Sequence, residues 1–186
     1  GTTSAPFSSG QYNTAVGYQA LTGFTTGDYN SVLGNDAGND ITSGEKNVLL
    51  GWLAGDKLTS TSQNVVVGAA AGRGAGYTDN VYIGYGVANS QSSNSSNNTL
   101  IGSGVALSGA MTGGNNTAVG KGSLSSVIGG SNNVTIGYQA GNTITSGANN
   151  TYIGYSADAS ANDVDDEIVL KAGSDALVGG GTETVR

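Results

Sequence analysis

Few side chains in this sequence could carry out catalysis or bind a transition metal. The chain contains no histidine and no cysteine, so nucleophile-and-base arrangements and metal sites that depend on them cannot be built. Two carboxylates held as a pair could hydrolyse a glycan, but the 13 acidic residues are scattered mainly through polar segments. We therefore predict no enzymatic activity, no catalytic residue and no cofactor, and keep a glycan depolymerase as a minor alternative.

Oxygen ligands for calcium could come from two places. The segment Gly34–Asp40 (GNDAGND) faintly resembles a calcium-binding nonapeptide repeat, but it occurs once and not in tandem. The densest acidic group lies near the end of the chain: Asp158, Asp163, Asp165, Asp166 and Glu167. Isolated Asp and Asn are ordinary turn formers, so we assign no metal ligand at either place.

An aromatic side chain directly follows a recurring glycine in five places. These residues are Tyr18, Trp52, Tyr85, Tyr138 and Tyr155. If they project outward, they form a broken stripe suited to stacking on sugar rings, and thus to receptor contact. If they point inward or lie between chains, they stabilise the packing of stacked β-structure. The sequence leaves both interpretations open.

The recurring glycines belong to an internal repeat. Nine asparagines open the same short phrase at intervals of 17 residues, with one interval of 16 and two of 18, and a glycine stands four residues after each asparagine. The pairs are Asn13 and Gly17, Asn30 and Gly34, Asn47 and Gly51, Asn64 and Gly68, Asn80 and Gly84, Asn98 and Gly102, Asn116 and Gly120, Asn133 and Gly137, and Asn150 and Gly154. Eight of the nine units also carry Ala or Val three residues after the glycine, Ser123 being the exception.

Each repeat predicts one short β-strand between two tight corners, because Asn and Gly tolerate positive φ and the residues between them are mainly β-branched or apolar. Stacking the repeats gives an all-β, tandem-repeat β-solenoid or β-roll about 45–50 Å long. The asparagines can then form a side-chain amide ladder, and the glycines mark corners that a Cβ would obstruct. Both rows are predicted to be structural corners.

Both faces of the predicted sheet are apolar. The residue before each glycine is aliphatic, from Val16 to Ile153, and the residue before that is apolar or aromatic in eight of nine units, Thr135 being the exception. A lone solenoid would alternate apolar and polar residues, because only one face meets its own interior. We therefore expect copies of the same chain to pack against the outward face.

We expect three regions: residues 1–12 as an N-terminal lead-in, 13–166 as a nine-coil shaft, and 167–186 as a degenerate tenth coil or cap followed by a Gly-rich linker. In the tenth unit Lys171 stands where glycine is expected, and Gly179 to Gly181 favour a linker. Between the Ala or Val position and the next asparagine, each unit has the composition of a loop, and the polar stretch 89–97 is the longest.

Charge and hydropathy exclude two classes of partner. A net charge of -7 with six Lys plus Arg disfavours nucleic acid and anionic membrane surfaces. No apolar run approaches the ~20 residues of a membrane span, and no basic-then-apolar leader opens the sequence. We expect a soluble or already processed piece without membrane insertion.

Three phrases carry a resemblance to a known class: NTAVGYQAL at 13–21, NVTIGYQAG at 133–141 and NTYIGYSAD at 150–158. They resemble repeats of bacteriophage tail-fibre proteins and are similar to the head repeats of trimeric autotransporter adhesins. The resemblance implies a parallel homotrimer, intertwined or side by side, with a shared apolar seam. It also implies attachment to a host cell-surface glycan or protein receptor, and a location in the virion or at the cell surface. A self-assembling extracellular filament or a bacterial adhesin is the alternative, and an ice-binding solenoid lacks its regular Thr-x-Thr array.

Overall fold

The computed structural model describes residues 9–74, 77–89, 95–107, 111–172 and 175–180. The predictions for residues 1–8, for most of the polar stretch 89–97 and for residues 181–186 lie outside these ranges. Over the described residues the chain is an all-β solenoid, as the repeat predicts. We number its coils from the asparagines, so that coil 1 begins at Asn13 and coil 9 at Asn150.

In the described part of the chain, eleven strands form one sheet in sequence order. The strands are β1 Thr14–Val16, β2 Ser31–Leu33, β3 Val48–Leu50, β4 Val65–Val67, β5 Val81–Ile83, β6 Thr99–Ile101, β7 Thr117–Val119, β8 Val134–Ile136, β9 Thr151–Ile153, β10 Glu167–Ala172 and β11 Asp175–Gly180. β1 to β10 are parallel neighbours, one strand from each turn, and β11 is antiparallel to β10. Each strand is held in register by its neighbours, so equivalent side chains form columns along the axis.

The middle residue of each three-residue strand points into the solenoid. Val32, Leu49 and Tyr82 are examples that are almost completely buried. The residue after it, directly before each glycine, faces outward and is exposed or half-exposed. Both rows are apolar in the sequence, and the structure assigns the interior to the first of them.

Two further rows complete the core. The Ala or Val row is buried throughout, and a third row comes from the segments predicted to be loops. Among the described residues, the position eleven after the asparagine is a buried apolar side chain in five coils: Phe24, Ile41, Leu58, Val127 and Ile144. These segments are loops, as predicted, but in these five coils the loop turns one apolar side chain inward to fill the interior, which the sequence did not predict.

Two polar residues interrupt the apolar rows and compensate each other. Ser123 replaces the small apolar residue of coil 7, and Thr135 replaces the central strand residue of coil 8. Both are completely buried, and their hydroxyl oxygens are 2.7 Å apart in a hydrogen bond. The pair removes the cost of a buried hydroxyl without a partner.

The asparagine row forms a buried amide ladder. Asn47 Oδ1 accepts hydrogen bonds from both the backbone N–H and the side-chain amide of Asn64, each at 3.1 Å. The Asn47 amide in turn donates to Asn30 Oδ1 at 3.0 Å and to the Thr61 carbonyl at 2.9 Å. Each asparagine thereby connects the corners of adjacent coils.

The turn at each asparagine is made by the residue before it. That residue has a positive φ in every coil, for example Lys46 at 57° and Asn132 at 58°. The expectation that the asparagine itself supplies the positive φ is therefore wrong, because its side chain is directed inward to the ladder. The glycine four residues later does have positive φ, between 122° and 146°.

The end of the solenoid differs from the prediction in one respect. β10 pairs with β9 as a tenth strand, and Glu167 occupies the asparagine position, where its N–H donates to Asn150 Oδ1 at 2.8 Å. The segment after it was expected to be a linker, but residues 175–180 form β11 and pair with β10. An antiparallel hairpin covers the edge that the last coil would leave open.

Three tyrosines, Tyr77, Tyr82 and Tyr152, are completely enclosed in the core. Burial raises the pKa of all three above the ordinary 10.0. The polar side chains of Ser95 and Asn98 partly offset the rise in the pKa of Tyr82, whereas the hydrogen bond to Glu167 adds to the rise in the pKa of Tyr152.

These pKa shifts predict unfolding by alkali. Below about pH 10 the phenols are protonated in both states, so their contribution to stability is complete. Above that pH the unfolded chain ionises first, and the free energy of unfolding should fall by up to about 1.4 kcal/mol per pH unit for each buried tyrosine. Denaturant titrations at several pH values above 10 give the free energy of unfolding as a function of pH. This free energy should fall less steeply with pH for Tyr152→Phe than for the parent, and an equal fall would contradict the raised pKa of Tyr152.

Candidate binding surface

The outward face of the sheet carries one continuous aliphatic strip. It consists of Val16, Leu33, Leu50, Val67, Ile83, Ile101, Val119, Ile136 and Ile153, one residue from each coil. Exposure of these side chains reaches 55% at Val16 and is still 39% at Ile153. With about 4.8 Å between coils, the strip extends for about 40 Å. An exposed apolar patch of this length is typical of an interaction surface.

The aromatic row lies on the outside of the solenoid, beyond the glycine corner. Tyr18, Tyr85 and Tyr155 are about two-thirds exposed, Trp52 is 53% exposed and Tyr138 is 41% exposed. The side chains therefore do not fill the interior, which leaves outward contact or packing between chains. The structure separates this row from the aliphatic strip by one residue, the invariant glycine.

Two pairs of tyrosines on the surface are stacked. Tyr138 and Tyr155, of coils 8 and 9, have ring centroids 5.3 Å apart and nearly parallel planes, at 9°. Tyr12 and Tyr29, at the positive-φ position before the asparagine, stack at 4.9 Å and 11°. These distances are close to the spacing of coils, so the rings face each other along the axis of the solenoid.

A groove interrupts the aromatic row in the second half of the chain. Its volume is about 340 Å³, which lies in the range of roughly 300–1,000 Å³ for small-molecule sites. The lining residues come from coils 5 to 8: Tyr85, Gly86, Ser103, Gly104, Leu107, Lys121, Gly122, Ser125, Tyr138 and Gln139. Tyr85 and Tyr138 belong to the outer coils of the four, so they form opposite ends, and we call the space between them the Lys121 groove.

Lys121 is the only charged residue in the groove lining. Elsewhere in the described part of the chain, Lys46 pairs with Glu45 and Lys171 donates to the Ser156 carbonyl. Among the described cations, Lys121 is the one whose ammonium group makes neither an ion pair nor a hydrogen bond. Its positive charge is therefore available to a ligand.

An ion-pair network lies outside the groove and contains two of the acidic residues. Arg73 holds the nearly buried Asp56 with two hydrogen bonds of 3.1 and 3.2 Å, and this contact raises the pKa of Arg73. Lys57 lies 3.1 Å from Asp40 and 4.0 Å from Asp56. The carboxylates are neutralised by cations on adjacent coils, as expected of a structural contact between coils.

The acidic residues near the end of the chain accept hydrogen bonds in turns. Asp158 Oδ1 accepts from the backbone and hydroxyl of Thr143, and Asp165 Oδ1 accepts from the Ala148 N–H. Glu167 accepts from the Tyr152 hydroxyl at 3.0 Å. In the ranges that the structure describes, no group of three or more acidic residues is arranged to hold a metal ion.

Comparison with family models, curated proteins and solved structures finds no match. The class of this protein is thus defined by its own geometry, which is a β-solenoid with one aliphatic face and an adjacent aromatic row. Within the described ranges, no helix has the length and apolar character needed to cross a membrane.

The sequence alone predicts the aromatic row but not the Lys121 groove. The missed signal is visible when the repeats are aligned on the invariant glycine. Two residues after it, coils 5, 6 and 7 have Gly86, Gly104 and Gly122, whereas the other six coils have a residue with a side chain. These three consecutive glycines leave a depression in the surface, which is the Lys121 groove.

Proposed function

We propose that this chain is the shaft segment of a homotrimeric cell-attachment fibre of the bacteriophage tail-fibre type. The observation that carries the proposal is the aliphatic strip, which runs along all nine coils and is exposed or half-exposed in a single chain. Packing against other chains would remove it from water. The resemblance of the repeat phrases to tail-fibre repeats supports both the number of chains and the role in attachment.

The strip favours copies of the same chain as its partner. Its side chains recur once per coil, about every 4.8 Å along the axis. A second copy lying parallel and in register has the same repeat, so each aliphatic side chain meets an equivalent one at the same height. A partner without this repeat would lose register with the strip within a few coils.

Three copies arranged around one axis would bury all three strips in a central seam. The aromatic rows and polar turns would then remain at the periphery, where they could contact a host cell-surface glycan or protein. A stiff solenoid in which backbone hydrogen bonds join each coil to the next suits the mechanical role of a shaft. The protein would accordingly be located in the virion, as part of a tail fibre.

The first test is the molar mass in solution by sedimentation equilibrium. We expect three times the 18.2 kDa of the chain. A monomer would contradict the shared seam. Indefinite assembly would contradict the closed trimer and favour the alternative, a self-assembling extracellular filament or bacterial surface adhesin.

A charge placed in the strip should dissociate the trimer. Leu50 is 42% exposed on one chain, so Leu50→Glu should leave the individual solenoid folded but bury three unpaired carboxylates in the seam. Each would cost several kcal/mol, and the mass at micromolar concentration should fall to that of one chain. Ile128→Glu is the matched control, because Ile128 is exposed (51%) but lies off the strip. Equal masses for the two variants would argue against the seam.

A further inference from the structure

We propose that the Lys121 groove is a binding site for an acidic oligosaccharide, in which a sugar carboxylate pairs with Lys121 and the sugar rings pack against Tyr85 and Tyr138. The proposal deepens the attachment part of the proposed function and rests on it. Three features of the groove support it: its shape, the tyrosine at each end and the charge of Lys121.

The dimensions suit a short oligosaccharide. Tyr85 and Tyr138 are three coils apart, which places their rings about 14 Å from each other along the axis. Between them the equivalent positions carry Ser103 and Lys121, which are not aromatic. A ligand lying along the axis can therefore contact an aromatic ring at each end and polar side chains in the middle.

The Tyr138 ring is held in place as a stacking platform. One face is covered by Tyr155 at a centroid distance of 5.3 Å, so the other face looks back along the axis into the groove. A ring fixed by such a stack loses little side-chain entropy when a ligand binds. Aromatic faces pack favourably against the apolar faces of sugar rings, as in other aromatic contact surfaces.

The floor of the groove is formed by three glycines, and the fold does not require glycine at these positions. Gly86, Gly104 and Gly122 have φ values of 61°, 64° and 66°, and a Cβ added to any of them would meet no atom closer than 3.4 Å. At the same position, coils 1 and 8 carry Gln19 and Gln139 with φ of 52°. Since the backbone accepts side chains here, their absence from three successive coils leaves room for a ligand.

The charge of the groove selects an anion. Lys121 is unpaired within the described part of the chain, and the groove lining contains no carboxylate. The chain as a whole has a net charge of -7, so it repels anions at long range. Binding of an acidic sugar would thus require this local positive site, whereas a neutral sugar could accept a hydrogen bond from Lys121 but would lack the ion pair.

The test compares two probes that share the same sugar rings and differ in charge: trigalacturonate and its methyl ester. Titration of the full chain at physiological salt, followed by NMR, should show binding of the acid at the signals of the groove, and weaker binding of the ester. Lys121→Ala should weaken binding of the acid about tenfold or more and weaken binding of the ester much less. Tyr138→Ala should weaken both probes.

Two further variants complete the test: one is a control outside the groove, and the other fills the groove with a side chain. Lys46→Ala removes an exposed lysine outside the groove and should leave binding unchanged. Gly104→Gln should fold, because glutamine occupies this position in coils 1 and 8, and should abolish binding by filling the floor. Equal affinity for acid and ester, no binding of either, or the same loss with Lys46→Ala would overturn the proposal.

These outcomes are separable from the test of the shaft. A chain with the mass of a trimer that binds neither probe would overturn the sugar site and leave the proposed shaft in place. A monomeric chain that binds the acid through Lys121 would support the sugar site and contradict the trimeric seam.

Discussion

Gly120→Ala is expected to destabilise the solenoid by about 4 kcal/mol, as the sum of backbone strain and steric overlap. Gly120 has a φ of 133°, a conformation that side chains disfavour, and its added Cβ would lie closer than 3.0 Å to the carbonyl oxygen of Gly137 in the next coil. Relief requires the two coils to separate, which would break the 2.8 Å hydrogen bond from the Gly137 N–H to the Val119 carbonyl. Denaturant unfolding at fixed protein concentration measures the loss.

Gly129→Ala is the matched control for this substitution. Gly129 is in the following loop of the same coil, and an added Cβ would have no atom within 4 Å. Its stability should stay within about 0.5 kcal/mol of the parent, as for ordinary surface changes. A similar loss in both variants would show that the general flexibility of glycine, and not the contact between corners, explains the invariant row.

The repeat was predictable because its invariant residues make contacts between adjacent coils. Each invariant glycine except Gly154 lies against the equivalent glycine of the next coil, and each ladder asparagine bonds the equivalent asparagine. Such a contact constrains the same position in every unit, so it appears in the sequence as strict spacing. That spacing was sufficient to predict the coil length and the parallel stacking of the strands.

The third core row was less visible because the position that supplies a large buried side chain changes where the coil length changes. Coils 1 to 3 fill this part of the interior from the same register with Phe24, Ile41 and Leu58. In the 16-residue coil 4 the large buried side chain is Tyr77, at a position close to the next asparagine where coils 1 and 2 have glycine. A change of coil length therefore hides the row from an alignment of letters.

Two further features could not be predicted from the sequence: which face of the sheet is the interior, and the Lys121 groove. Two successive apolar rows in each strand fit either orientation, and the turns at the corners decide that Leu49 points inward and Leu50 outward. The groove depends on side chains missing from three coils at one register. Its effect appears only when the coils are stacked and Tyr85 and Tyr138 are left facing each other across the gap.

Asn47→Ala is expected to cost about 2–6 kcal/mol, because it leaves two buried polar groups without partners at about 1–3 kcal/mol each. The Asn64 N–H loses its acceptor, and the Thr61 carbonyl loses its donor. The control is Asn35→Ala, since Asn35 is exposed and its side chain bonds only to the neighbouring Asp36; its stability should change by less than about 0.5 kcal/mol. Hydrogen exchange gives a second measurement, because the Asn64 amide should lose protection before amides several coils away. Uniform loss of protection along the chain would mean that the ladder acts on the whole solenoid, and equal stability of the two variants would mean that the ladder contributes nothing to it.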